Sequence, residues 1–85
     1  MPELWPEGTE WDEHNLRHAT AHGISADEID QVIANGPVYR RNKRGRSADY
    51  LAAGNTDGGR RVVVAFEWRP AIRRVRPITA WEAGQ

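Results

Sequence analysis

Arg61-Val62-Val63-Val64-Ala65-Phe66-Glu67-Trp68 is the stretch on which the fold turns. In an extended chain Val62, Val64, Phe66 and Trp68 fall on one face, and Arg61, Val63, Ala65 and Glu67 on the other. Apolar groups on both faces mark a strand covered from both sides, so 60–68 reads as the central strand of a sheet. Period-two segments at 38–41, 48–54 and 72–79 supply its neighbours. Between them lie a polar basic loop (Asn42 to Ser47), a turn holding Asp57-Gly58-Gly59, and a tight reversal at Arg69-Pro70-Ala71. Links this short imply antiparallel neighbours. Pro77 donates no ladder hydrogen bond, which puts the end of the last strand at an edge or a bulge.

Upstream of Pro37 the period is helical. Ser25-Ala26-Asp27-Glu28 is a capping box, Ile29, Val32 and Ile33 follow at helical spacing, and Asn35-Gly36-Pro37 ends the segment. Asp12 caps an earlier helix over about 12–22, with Leu16, Ala19 and Thr20 on one face and His22-Gly23 as its stop. Residues 1–10 read as an extended arm leading into a short strand near Trp11, and 83–85 as a tail. Residues 11–82 then form one α+β domain: two N-terminal helices on one face of a four-stranded antiparallel meander, the N-terminal strand being an extra.

An 85-residue chain without repeats has room for one domain. It has no cysteine, which excludes disulfides and thiolate metal sites. The longest apolar run, Val62 to Phe66, is far too short for a membrane span, and Met1 to Pro6 lacks the pattern of a signal peptide, so a cytoplasmic protein is expected. The net charge of zero conceals a division. Met1 to Tyr39 hold eight acids against Arg17 alone; Arg40 to Gln85 hold eleven basic residues against four acids. Such asymmetry points to a polyanion on one side. Eleven of the chain's twelve cations are arginine, whose planar fork grips phosphate and stacks on bases, and RNA becomes the expected ligand.

Trp11-Asp12-Glu13 with Asn15, then His18, His22-Gly23-Ile24-Ser25 and Glu28, form one group of markers. Gly45-Arg46, Tyr50-Leu51, Gly54, Thr56, Gly59-Arg60, Arg76 and Ile78-Thr79-Ala80 form a second. In this order and spacing, over about residues 11–82, the chain resembles the BrnT-like toxins, which share the sheet-and-helix fold of the RelE ribonuclease toxins. The resemblance implies the toxin component of a type II toxin–antitoxin system that inhibits translation by cleaving RNA. It also implies a ribbon-helix-helix antitoxin as partner, in a heterotetramer. Family members usually carry arginine after the Thr-Ala of the final strand, and Trp81 stands there. That departure raises an alternative, a catalytically silent RNA- or antitoxin-binding module of the same fold.

RNA cleavage without a metal or other cofactor needs a proton acceptor for the 2′-hydroxyl, a cation for the phosphorane-like charge and a donor for the leaving 5′-oxygen. Arg46, Arg60 and Arg76, from different strands or loops, are the candidate cations, expected to converge on one face or rim of the sheet. His18, Tyr50 and Glu67 are the candidate proton carriers. Arg40, Arg41, Lys43, Arg44, Arg61 and Arg74 are expected to follow the phosphate backbone and Trp81 to stack on bases. Bland readings stand beside these: Tyr50 as core, Glu67 as an arginine partner, the basic loop as a solvated turn. His14, His18 and His22 recur every four residues, but no carboxylate or thiolate is placed to complete a metal shell, so no metal site is assigned. The favoured reading of this stripe has His22 capping the helix, His18 at the sheet margin and His14 in water.

Overall fold

The computed structural model describes residues 4–84. Its elements run β1 (Gly8–Thr9), α1 (Glu13–Ala19), α2 (Ala26–Ala34), β2 (Val38–Arg41), β3 (Tyr50–Asn55), β4 (Arg61–Arg69) and β5 (Arg74–Glu82). The sheet is five-stranded and mixed, in the order β1-β5-β4-β3-β2. The last four strands form the expected antiparallel meander, and β1 lies parallel to β5 at the edge. The extra N-terminal strand is thus at Gly8–Thr9 rather than near Trp11, and it turns an all-antiparallel sheet into a mixed one. Two residues without a period offer no signal of such pairing.

Both helices begin as their caps dictate. Ser25 accepts from the Glu28 amide while the Glu28 carboxylate accepts from the Ser25 amide. Asp12 and Asn15 make the same reciprocal pair at α1. The α1 helix is shorter than the expected 12–22: the chain leaves it at Thr20, whose hydroxyl donates to the Leu16 carbonyl, and turns before Gly23 at φ +85°.

The helices cover one face of the sheet. Ile24, Ile29 and Val32 meet Ala52, Val62, Val64, Phe66, Val75 and Ala80, all buried, with Ala19 and Ile33 in the same core. Phe66 lies at its centre, stacked on Tyr50 at 5.7 Å and met edge-on by Tyr39 at 5.9 Å. Pro77 sits at the irregularity the sequence required. Ala65 pairs with Thr79 and Phe66 with Pro77, leaving Ile78 as the extra residue of a bulge. The β4–β5 reversal is longer than a tight turn over 69–71. It spans Pro70 to Arg73, with Arg73 at φ +54°, and the last strand therefore runs 74–82 instead of 72–79.

Candidate nucleic-acid interface

The acidic and basic halves of the chain neutralise each other across the fold. Arg60 bridges Glu28 at 3.3 Å and Glu82 at 3.2 Å, Arg69 meets Glu10, Arg73 meets Glu7, and Arg76 meets Asp12 at 2.8 Å and Glu10 at 3.8 Å. All but Glu82 among these carboxylates come from the N-terminal half. The charge split read from the sequence is therefore in part an internal complementarity, which relieves some of the repulsion among the arginines without a ligand.

The expected convergence of Arg46, Arg60 and Arg76 does not occur. Arg60 precedes β4 and turns to the helix layer, donating to the Gly23 carbonyl as well as to Glu28. Arg76 pairs in register with Glu67, six residues along β4 from Arg61, which is about 20 Å at strand rise. Each is fixed as a structural cation. Hydrogen bonding to Glu28 holds the Arg60 guanidinium further into its charged range, and Asp12 does the same for Arg76. Conversely, the bond from Arg76 lowers the Asp12 carboxyl, and the Ser25 amide, then Arg60, lower that of Glu28.

Of the eight cations left without a carboxylate within 4.0 Å among the described residues, five gather at one place. Arg40, Arg41, Lys43, Arg44 and Arg46 surround the β2–β3 loop; the others are Arg61, exposed on the sheet, Arg74 at the start of β5 and Arg17 on α1. The loop has a built neck. The Asn42 amide donates to the Asp49 carbonyl, the Asn42 side chain to the Ala48 carbonyl, and the Asp49 amide to Phe66 on β4. Beyond this neck Lys43 to Arg46 form a turn, with Gly45 at φ +80° where a side chain would be strained. The loop thus presents its cations from a fixed base.

A groove lies on each side of it. One is lined by Arg41, Lys43, Arg44, Arg46, Tyr50 and Trp68, together with Asp49. This brings together two of the expected chemical residues, Arg46 and Tyr50. The Tyr50 ring is stacked on Phe66 and covered by the Arg41 guanidinium at 5.4 Å, so it is both a core side chain and a groove wall. Asp49 escaped the sequence reading; its signal was its place as the first acid after five cations. The second groove, about 410 Å³, lies on the helix-free face of the sheet, where Leu51, Ala65, Ile78 and Trp81 meet Lys43 and Arg46. Leu51 and Ile78 were also missed, although they are apolar residues on the strand face turned away from the helices.

The remaining candidates lie apart. Glu67 is held between Arg69 at 3.6 Å and Arg76 at 4.0 Å. His18 is exposed instead of packed at the sheet margin, its ring 5.2 Å from His14, and His22 falls beyond the end of α1. Arg74 donates to the Thr9 carbonyl and lies over Gly8, bracing β1. No helix among the described residues is long and apolar enough to cross a membrane.

No curated protein and no solved structure matches the chain. The model of a family described as "Domain of unknown function (DUF4258)" matches residues 11–81, nearly the whole α+β domain, and the chain belongs to that family.

Proposed function

We propose that the chain is an RNA-cleaving toxin of the RelE/BrnT-like type, component of a type II toxin–antitoxin pair, working at the groove between the β2–β3 loop and Tyr50. The observation that carries this reading is the grouping of Arg41, Lys43, Arg44 and Arg46, none paired with a carboxylate within 4.0 Å among the described residues, around Tyr50 and Asp49. Arg60, Arg69, Arg73 and Arg76 are neutralised by carboxylates of the fold, whereas this cluster is left for a polyanion.

The groove contains the three kinds of group that internal transesterification needs. Asp49 accepts the proton of the 2′-hydroxyl as that oxygen attacks phosphorus. Arg46 holds the charge of the phosphorane-like transition state, and the Tyr50 phenol donates its proton to the departing 5′-oxygen. A 2′,3′-cyclic phosphate and a 5′-hydroxyl result, with no cofactor. Arg60, Arg76 and Glu67 keep structural duties in this reading.

The test is controlled induction in a bacterial host, with RNA integrity followed, for wild type beside Arg46→Ala and Tyr50→Phe. Arrest and cleavage by the wild type, relieved by either substitution at equal soluble level, support the proposal; intact RNA and normal growth with folded wild type remove it. A second reading, the silent RNA- or antitoxin-binding module, is favoured by the ion pairing of Arg60 and Arg76 and by Trp81 in the final strand. It predicts RNA or antitoxin binding without cleavage.

A further inference from the structure

We infer that the groove on the helix-free face is a nucleotide subsite, in which an unpaired base stacks on Trp81 while its phosphate is held by Lys43 and Arg46. The inference rests on the RNA reading above and goes beyond it by assigning a second groove and a kind of strand. Trp81 pairs in register with Val63 one position before the end of β5 and is 39 % exposed although it lies within the ladder. Its neighbours Leu51, Ala65 and Ile78 give the groove an apolar floor. Lys43 and Arg46 stand at the loop side, and no acidic residue among the described residues lines the groove.

This combination selects its occupant. A duplex offers a protein phosphates and sugars at its surface and keeps its base faces stacked inside, so an apolar floor has nothing to receive. An unpaired nucleotide offers both an aromatic face and an anion, which matches an indole and apolar floor beside two cations. Lys43 and Arg46 also line the groove of Tyr50 on the other side of the loop. A backbone lying across the loop therefore delivers one nucleotide to Trp81 and the next stretch to Arg46 and Tyr50.

The experiment is fluorescence anisotropy with a labelled RNA decamer, single-stranded and annealed to its complement, against the full chain and its Trp81→Ala, Trp81→Phe and Lys43→Ala/Arg46→Ala variants. Wild type should prefer the single strand about tenfold. Trp81→Ala should weaken the single strand about tenfold and the duplex hardly at all, and Trp81→Phe should retain most of the affinity. Quenching of intrinsic tryptophan fluorescence by the single strand should fall in Trp81→Phe, a signal that a merely structural Trp81 would not give. Lys43→Ala/Arg46→Ala should weaken both forms of RNA.

Equal binding of both forms with no effect of Trp81→Ala overturns the subsite and leaves the RNA reading standing. Failure of the wild type to bind either form sinks the RNA reading itself. A dimer in light scattering that Trp81→Ala dissolves assigns the face to a second copy, and overturns the inference as well.

Discussion

The guanidinium of Arg76 lies 2.8 Å from the carboxylate of Asp12, the residue that caps α1, and so ties the start of the helix layer to the first half of β5. Asn15 reinforces the same junction by donating to the Pro77 carbonyl at 3.0 Å. Because the bond from Arg76 depresses the Asp12 carboxyl in the folded state, its contribution to stability is complete above the ordinary carboxylate range and is lost as pH falls through the lowered value. The window is therefore below about pH 4. Asp12→Asn keeps an oxygen able to cap but removes the charge. Acid titration followed by circular dichroism should show lower stability than wild type at neutral pH and a shallower loss on acidification; coincident curves for the two proteins would refute the assignment.

Gly54 faces Pro37 across the join of α2 and β3. A Cβ there would stand 3.0 Å from the Pro37 Cβ, 3.3 Å from its Cα and 3.4 Å from the Val32 Cγ1. The ring and backbone of Pro37 have no freedom to retreat, so Gly54→Ala should destabilise by about 1–3 kcal/mol, against the propensity gain of alanine in a strand. Urea unfolding measures it; an unchanged or raised midpoint would show that the neighbours yield.

Phe66→Ala should be the most damaging of the core truncations. It removes a fully buried ring that Tyr39 and Tyr50 both contact, at a cost of about 3–5 kcal/mol, comparable with the whole stability of a domain this small. Phe66→Leu should fold with a lower melting temperature. An alanine variant as stable as wild type would mean that the tyrosines fill the space.

Those two sites differ in how they could be foreseen. The burial of Phe66 follows from alternation in 61–68, just as the start of α2 follows from Ser25 and Glu28, and the bulge from the missing amide of Pro77. The clash at Gly54 depends on where Pro37 comes to rest, which no local pattern encodes. The site divides likewise. The basic loop and the surface place of Trp81 are legible because they need only local sequence. That Arg60 and Arg76 are already occupied is not, since Glu28 and Asp12 lie thirty-two and sixty-four residues away in the chain. Counting charges shows an imbalance between halves, and only the folded contacts show that four arginines spend it internally.

Tyr50 offers a separation of chemistry from packing. Tyr50→Phe preserves the stacked ring against Phe66 and the surface beneath Arg41, so thermal stability should change little. If the phenol donates to the leaving oxygen, cleavage should fall roughly 10²–10⁴-fold, and Asp49→Asn should do the same from the acceptor side. Single-turnover cleavage of a labelled oligonucleotide, beside a melting curve for each variant, distinguishes the two effects. Full activity in both variants would move the chemistry out of this groove.

The division between occupied and unoccupied arginines makes a last, quantitative prediction about salt. A cation that neutralises a phosphate releases a counterion, so its removal should lower the slope of log affinity against log salt by about 1. Arg44→Ala and Arg46→Ala should each do so, because neither has a carboxylate within 4.0 Å among the described residues to satisfy first. Arg60→Ala should leave the slope unchanged, since Arg60 already holds Glu28 and Glu82, and should instead lower the melting temperature by freeing the start of α2. RNA binding measured across a salt series decides between loop and sheet. A slope that drops with Arg60→Ala and holds with Arg46→Ala would place the polyanion at the opposite end of β4, away from both grooves, and overturn the assignment.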